Sequence, residues 1–266
     1  MARPLALITL LTDFGDSDWF VAAMKGVILS INPQATIIDL SHRIPAHAVE
    51  DGAYVWKSCY RYFPPGTVHI AVVDPGVGTK RRPLIAHSAR YFFFAPDNGL
   101  LTWVAGEEDD LEVRSIENKH YRLESEGNTF DGRDVFAPAA AWLTKNQPVA
   151  SFGPIVESYR TFPRAVPRWV SGKLVGEVMY VDHFGNVISN VTAAHLAEVR
   201  DAKKRPDANI RVGDQVIDGL VESYSEGDPQ QLRALINSNG NLECFLKEGS
   251  AAARFAIGRH TVVVLE

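Results

Sequence analysis

The 266-residue chain has only two cysteines, Cys59 and Cys244, and neither sits in a CxxC pair. A zinc knuckle and a disulfide framework are therefore not expected, and a reducing cytoplasm is the expected location. Long apolar runs are missing too. The N-terminal run "PLALITLL" is eight residues long, far short of the roughly 18 that a membrane-spanning helix needs. One Arg precedes it, and it leads into the acidic "TDFGDSD" without a small-residue cleavage site. It reads as a buried strand, with no membrane partner. Positive charge is not in excess, since 27 Lys and Arg stand against 32 Asp and Glu for a net charge of -5. The tight basic groups are Lys80–Arg82 and Lys203–Arg205, too little to point to nucleic acid. HExxH, HxH, GxSxG and GK[ST] are all absent, so His42 and His47 are not read as metal ligands, and neither a serine elbow nor a P-loop is supported.

With 46% apolar and 22% charged residues, the chain can bury a real core in one large or two smaller domains. Its first half alternates strand-like runs (Leu5–Leu11, Thr36–Leu40, Val68–Val73) with helix-like segments. In one of these, Val49, Ala53, Trp56, Tyr60 and Phe63 recur three and four apart and line one helix face. This is βαβ grammar and predicts an α/β domain with a central, mostly parallel sheet over residues 1–165. Further strands are expected at Leu84–His87, Tyr91–Phe94 and Leu111–Ile116, then a helix over Asp134–Lys145 with Asp134 as N-cap. Pro148, Pro154, Pro163 and Pro167 mark a linker. Beyond it, short β-rich segments separated by Gly, Asn and Asp predict a smaller all-β, barrel-like domain over residues 172–266.

Acidic and polar residues collect where the strands of the α/β half should end, in "TDFGDSD", "DLSHRIPAH" and "VDPGVGTKRR". In open α/β sheets ligands bind beyond the carboxyl ends of the strands, so the three segments converge on one pocket. Asp13 can bind ribose hydroxyls there, while Asp16 or Ser17 is expected to cap the following helix. Asp74 and Arg81 can form a bidentate pair, as a functional unit or as a structural clasp at the loop base. His69 and His87 read as satisfied strand histidines. In "YVDHFGNVISN", Asp182 and Asn186 flank a Phe-Gly turn, and "INSNGNLE" reads as a hairpin. An Asn offers donor and acceptor to a heterocycle such as adenine, or serves turn geometry alone.

Taken together, "TDFGDSDWFVAAMKGVI", "INPQATIIDLSHRI", "FPPGTVHIAVVDPGVGTKRR", "APDNGLLT", "TFDGRDVFAPAAAWL" and "VDHFGNVISNV" closely resemble the S-adenosyl-L-methionine (SAM) hydroxide adenosyltransferases, also called SAM hydrolases. The related fluorinase and chlorinase share the framework. The resemblance implies hydrolysis of SAM to adenosine and L-methionine without metal or other cofactor. It also implies a homotrimer, with ligand between the N-terminal domain of one subunit and the C-terminal domain of the next. By motif, Asp13 matches the ribose-binding carboxylate, and His47 stands where an aromatic residue packs on the nucleoside. Asn186 and the backbone near Gly249–Ala251 match adenine contacts; Asp18, Asp182 and Ser238 match methionine contacts. The hydrolases use an Asp-Arg-His set near the attacking water. Asp74 and Arg81 match its first two members, both replaced in the halogenases, and Asp131 stands where the histidine would be. Asp131 is then expected to act as an orienting group or weak base in a slow hydrolase. Binding of SAM or adenosine without turnover, and 5′-halogenation, are the other readings open at this point.

Overall fold

The computed structural model describes residues 3–204 and 209–266; Arg205, the end of the second basic run, and Ala208, which opens the β-rich segment "ANIRVG", lie outside the described residues. The chain divides into two compact units, Met1–Phe162 and Pro163–Glu266.

The first unit is built on a six-stranded sheet: β1 (Leu7–Thr12), β2 (Thr36–Ser41), β3 (Val68–Val72), β4 (Pro83–His87), β5 (Phe92–Pro96) and β6 (Glu112–Ser115). Their order is β2-β1-β3-β5-β4-β6. The β2–β1, β1–β3 and β3–β5 pairs are parallel, and β4 pairs antiparallel with β5 and β6. Successive strand residues point to opposite faces, and the sequence obeys this with apolar groups on both sides. Val68, Ile70, Val72, Phe92 and Phe94 join a core with Met24 and Ile28 of helix α1 (Phe20–Ile31) and the alanines of α4 (Ala137–Thr144). Ala71, Val73, Phe93 and Ala95 face Ala53 and Trp56 of α2 (Val49–Cys59) and Val104 of α3 (Thr102–Ala105). A sheet buried on both faces explains why these strands read as continuous apolar runs.

Helix starts differ from the sequence expectation. Asp134 is not the cap of α4: a π-turn, Gly132–Phe136, precedes that helix, with Asp131 at its cap position and Asp134 inside it, buried and paired with Arg133 at 2.6 Å. Neither Asp16 nor Ser17 caps α1; Trp19 holds that position without a side-chain bond, and Asp16 instead pairs with Arg43 at 2.5 Å.

His69 on β3 is fully buried, its Nδ1 2.7 Å from Thr9 Oγ1 and its ring stacked on Phe93. Burial lowers its pKa to about 3. The unfolded chain titrates it near 6.5, so below that pH the unfolded state binds a proton the folded state refuses. The stability it contributes is complete above about pH 6.5 and is lost at about 1.4 kcal/mol per unit as pH falls towards 3. In urea unfolding, the loss between pH 7.5 and 5.0 is expected to be about 2 kcal/mol smaller for His69→Gln than for the wild type.

The second unit is antiparallel throughout: β7 (Arg168–Val170), β8 (Lys173–Val181), β9 (Val187–Thr192), β10 (Ile210–Val212), β11 (Gln215–Ile217), β12 (Arg233–Ile236), β13 (Asn241–Phe245) and β14 (Val262–Leu265). The order β11-β10-β14-β8-β9-β13-β12, with β7 also on β8, makes a barrel-like sheet. The long β8 serves both halves, pairing with β14 over Leu174–Glu177 and with β9 from Val178 onward. Two helices that the strand-rich pattern left unassigned accompany it. The first, α5 (Ala193–Lys203), is started by a Thr192–His195 capping box and buries Leu196 and Val199; the second is α6 (Ala251–Phe255).

Candidate active site

In the first unit the loop leaving β3 folds back on itself. Gly76 N–H donates to Asp74 Oδ1 at 3.2 Å, and Thr79 Oγ1 donates to the Gly76 carbonyl while accepting from Arg81 N–H. This returns Arg81 to the base of the loop, where its Nη2 meets Asp74 Oδ2 and, at 2.5 Å, Asp131 Oδ2. The pairing is not bidentate; one nitrogen bridges two carboxylates. The side chains of Asp74 and Arg81 are 4% and 7% exposed against 23% for Asp131, so Asp131 is the member most open to a ligand. Burial acts to lower the Arg81 guanidinium pKa, but the bonds to and charges of Asp74 and Asp131 outweigh it and hold it above the ordinary value. Asp131 Oδ1 has no hydrogen-bond partner among the described residues.

Asp74 and Asp131 line a cavity of about 260 Å³ whose other walls include Phe14, Trp19, Phe20 and Phe130. Phe130 is the hub, with ring centroids 5.7, 5.6 and 5.4 Å from Phe14, Trp19 and Phe20. Gly132 permits this packing: a Cβ there would come within 3.1 Å of the Phe130 ring and 3.2 Å of Met24 Sδ. The result is a carboxylate pair set among aromatic walls, where electrostatic effects are stronger than in bulk water.

In the second unit a cavity of about 620 Å³ is lined by Asp182, Phe184, Asn186, Tyr224, Phe245 and Leu246–Ser250. Asp182 Oδ1 accepts from Phe184 N–H at 2.9 Å and Asn186 N–H at 2.8 Å, while Oδ2 accepts from Asn186 Nδ2 at 3.0 Å. The turn is stitched to the start of α6 by Ala252 N–H donating to the Gly185 carbonyl at 3.0 Å. Gly185 has φ +81, and a Cβ on it would run into Ser250 Oγ. Gly185→Ala is expected to lose about 1–3 kcal/mol in urea unfolding. Gly172→Ala, at φ +74 with open space around it, isolates the backbone share at about 1 kcal/mol.

Residues 8–153 match the family model of the SAM hydroxide adenosyltransferase N-terminal domain, and residues 176–264 match that of the C-terminal domain. The chain belongs to the SAM hydroxide adenosyltransferase family. An (R)-S-adenosyl-L-methionine hydrolase of Salinispora arenicola is 34% identical over 259 residues, covering 94% of each chain. One of Methanocaldococcus jannaschii is 37% identical over 258 residues, covering 90% of this chain and 88% of the relative. Fluorinases also match, at 29–32% identity. The crystal structure of a conserved protein from Thermotoga maritima superposes with a TM-score of 0.87 at 33% identity, covering 97% of this chain and 99% of that one.

Within this adenosyltransferase, three groups of sequence-selected residues come together. Asp74, Arg81 and Asp131 form the first. Asp13 and His47 form the second: Asp13 Oδ2 accepts from His47 N–H at 2.9 Å, clasping the end of β1 to the loop after β2, where His47 has φ +67. Asp13, Asp18 and His47 do not line the 260 Å³ cavity, but Asp13 and Asp18 adjoin its Phe14 and Trp19 in sequence. Asp182, Asn186 and Gly249 form the third group, with Ala251 buried as the first residue of α6. Ser238 is apart, exposed at the β12–β13 turn and outside the cavity lining.

Two features were missed. Arg122 donates to the Ile116 carbonyl, and its Nε is buried without a hydrogen-bond partner. Burial, with a smaller repulsion from Arg81, lowers its pKa against the pull of Asp131 and Glu117. In the barrel unit, buried Glu243 accepts from Tyr224 Oη at 2.6 Å and Asn237 Nδ2 at 3.0 Å. Burial, then Glu243, pushes the Tyr224 hydroxyl up. A carboxylate inside the apolar strand "NLECF" was the available signal.

Proposed function

We propose that the protein hydrolyses SAM to adenosine and L-methionine by attack of water or hydroxide at the ribose C5′. The observation that carries this is Arg81 held between Asp74 and Asp131 at an aromatic-walled cavity, in a chain that keeps the two residues by which hydrolases differ from halogenases. A new O–C5′ bond forms as the C5′–S bond breaks. The bonding pair leaves with sulfur, turning the sulfonium into the neutral thioether of methionine, and the water proton passes to Asp131 and on to solvent.

An anionic or proton-losing nucleophile meeting a cationic sulfonium neutralises charge on the way to the transition state, so dry walls favour the step. The protein's tasks are to hold water in line with the C–S bond and to take its proton. Arg81 occupies Asp131 Oδ2, which leaves Oδ1 for the water. A carboxylate is by roughly 2.5 units a weaker base than imidazole, so turnover is slow. In the same reading Asp13 binds the ribose hydroxyls and His47 packs on the nucleoside. Asn186 and the Gly249–Ala251 backbone bind adenine, with the Asn186 amide N–H tied to Asp182 and its oxygen left to accept. Asp18, Asp182 and Ser238 bind methionine. The 1–165 and 172–266 domains each supply half of the site across the interfaces of a cytoplasmic homotrimer. Sedimentation as a species of three 29.3 kDa chains is the check on assembly.

Chromatography of SAM incubated with the protein, with and without chloride or fluoride, tests the reading. Adenosine and methionine in equal amounts, independent of halide, are expected. A halide-dependent 5′-halogenated adenosine would assign the chain to the halogenating branch, and tight calorimetric binding without product would make it a binding protein.

A further inference from the structure

A second concavity in the α/β unit, of about 800 Å³, includes Lys80, Arg81, Arg82, Asp97 and Arg160 in its lining. Asp97, with a side chain 7% exposed, organises it. Its Oδ2 accepts from Arg82 Nε and Nη2 at 2.9 and 2.6 Å, and its Oδ1 accepts from the backbone N–H of Arg160 at 2.6 Å. Arg82 Nη2 also donates to the Ser158 carbonyl at 2.7 Å. One buried carboxylate thus fixes a guanidinium from the β3–β4 loop beside the segment that carries Arg160.

The donors left over are all cationic. Lys80 Nζ, the Arg160 guanidinium and Arg82 Nη1 have no hydrogen-bond or ion-pair partner among the described residues, and Arg81 is matched by Asp74 and Asp131. With Asp97 set against Arg82, Lys80 and Arg160 are left as two unpaired cations, and the one excess negative charge of the Asp74–Arg81–Asp131 cluster still leaves the surroundings net positive in a chain whose net charge is -5. Guanidinium and ammonium donors held around a concavity recognise tetrahedral oxyanions.

We propose that this cavity is a binding site for a phosphate-type dianion, gripped by Lys80 and Arg160 and oriented by Arg82. The cavity shares Arg81 with the catalytic cluster, but the proposal does not rest on the SAM reading and is tested by binding alone. Intact protein is titrated with inorganic phosphate and, in parallel, with glycerol 3-phosphate, by calorimetry and by thermal melting at ionic strength held constant with chloride. Saturable binding at one site per chain and a rise in Tm are expected. The Lys80→Ala/Arg160→Ala variant should bind at least about tenfold more weakly, with its Tm without phosphate unchanged. Both side chains are exposed, and the single Lys80→Gln variant, expected to show a smaller loss, guards against a folding defect. Binding of the ester as tight as that of the free ion identifies a phosphorylated metabolite as the source; selectivity for the free ion identifies inorganic phosphate. No saturable binding of either anion, or unchanged affinity in a folded double variant, would overturn the proposal.

Discussion

Arg81→Met is expected to cut hydrolysis severely and to destabilise the α/β unit by about 3–5 kcal/mol, the cost of leaving a buried charge without its partner. The reason is the single nitrogen that meets both carboxylates. Without it, Asp74, whose side chain is 4% exposed, and Asp131 are left close together with no guanidinium between them. The loss of activity is put at about 10²–10⁴ in kcat/KM, the range for removing a group that sets up proton transfer. Combining it with Asp74→Asn separates the two effects. The double variant should recover much of the stability, because the buried charge is gone, while activity stays lost. Activity per folded molecule that survives in Arg81→Met while stability falls would show the cluster to be a structural clasp only.

Asp131→His is expected to act in the opposite direction. Imidazole, with a reference pKa near 6.5, is the stronger base by roughly 2.5 units and is still largely neutral at pH 7–8. A base acts when deprotonated, so kcat/KM of this variant should climb as pH rises through the imidazole range and level off above it. At pH 7.5 it should exceed the wild type about tenfold or more. A substitution that lowers activity at every pH would mean that the carboxylate contributes more to positioning than to basicity.

The central sheet was legible because its strands are buried on both faces, so "VHIAV" and "FFFAP" show as unbroken apolar runs. The α2 stripe was legible because Val49, Ala53 and Trp56 repeat at helical spacing. Capping residues misled where a local rule met a tertiary demand. Asp134 has the right neighbours for an N-cap, yet the π-turn carries it past that position and its charge goes to Arg133. The pairing of Asp74 with Arg81 was readable within one loop, whereas Asp131 joins them from a distant segment and entered only through the motif. Contacts of that kind leave little trace in a pattern. The clasp of Gly185 against Ser250 and the meeting of Arg82 with Arg160 through Asp97 depend on chain segments that are far apart.

The most direct measurement is mass spectrometry of the products formed from SAM in ¹⁸O-enriched water. Hydrolysis at C5′ predicts adenosine that is heavier by one ¹⁸O, at its 5′ oxygen, with methionine unlabelled. Label in an amino-acid product alongside methylthioadenosine, or adenosine without label, would contradict attack by water at the ribose carbon.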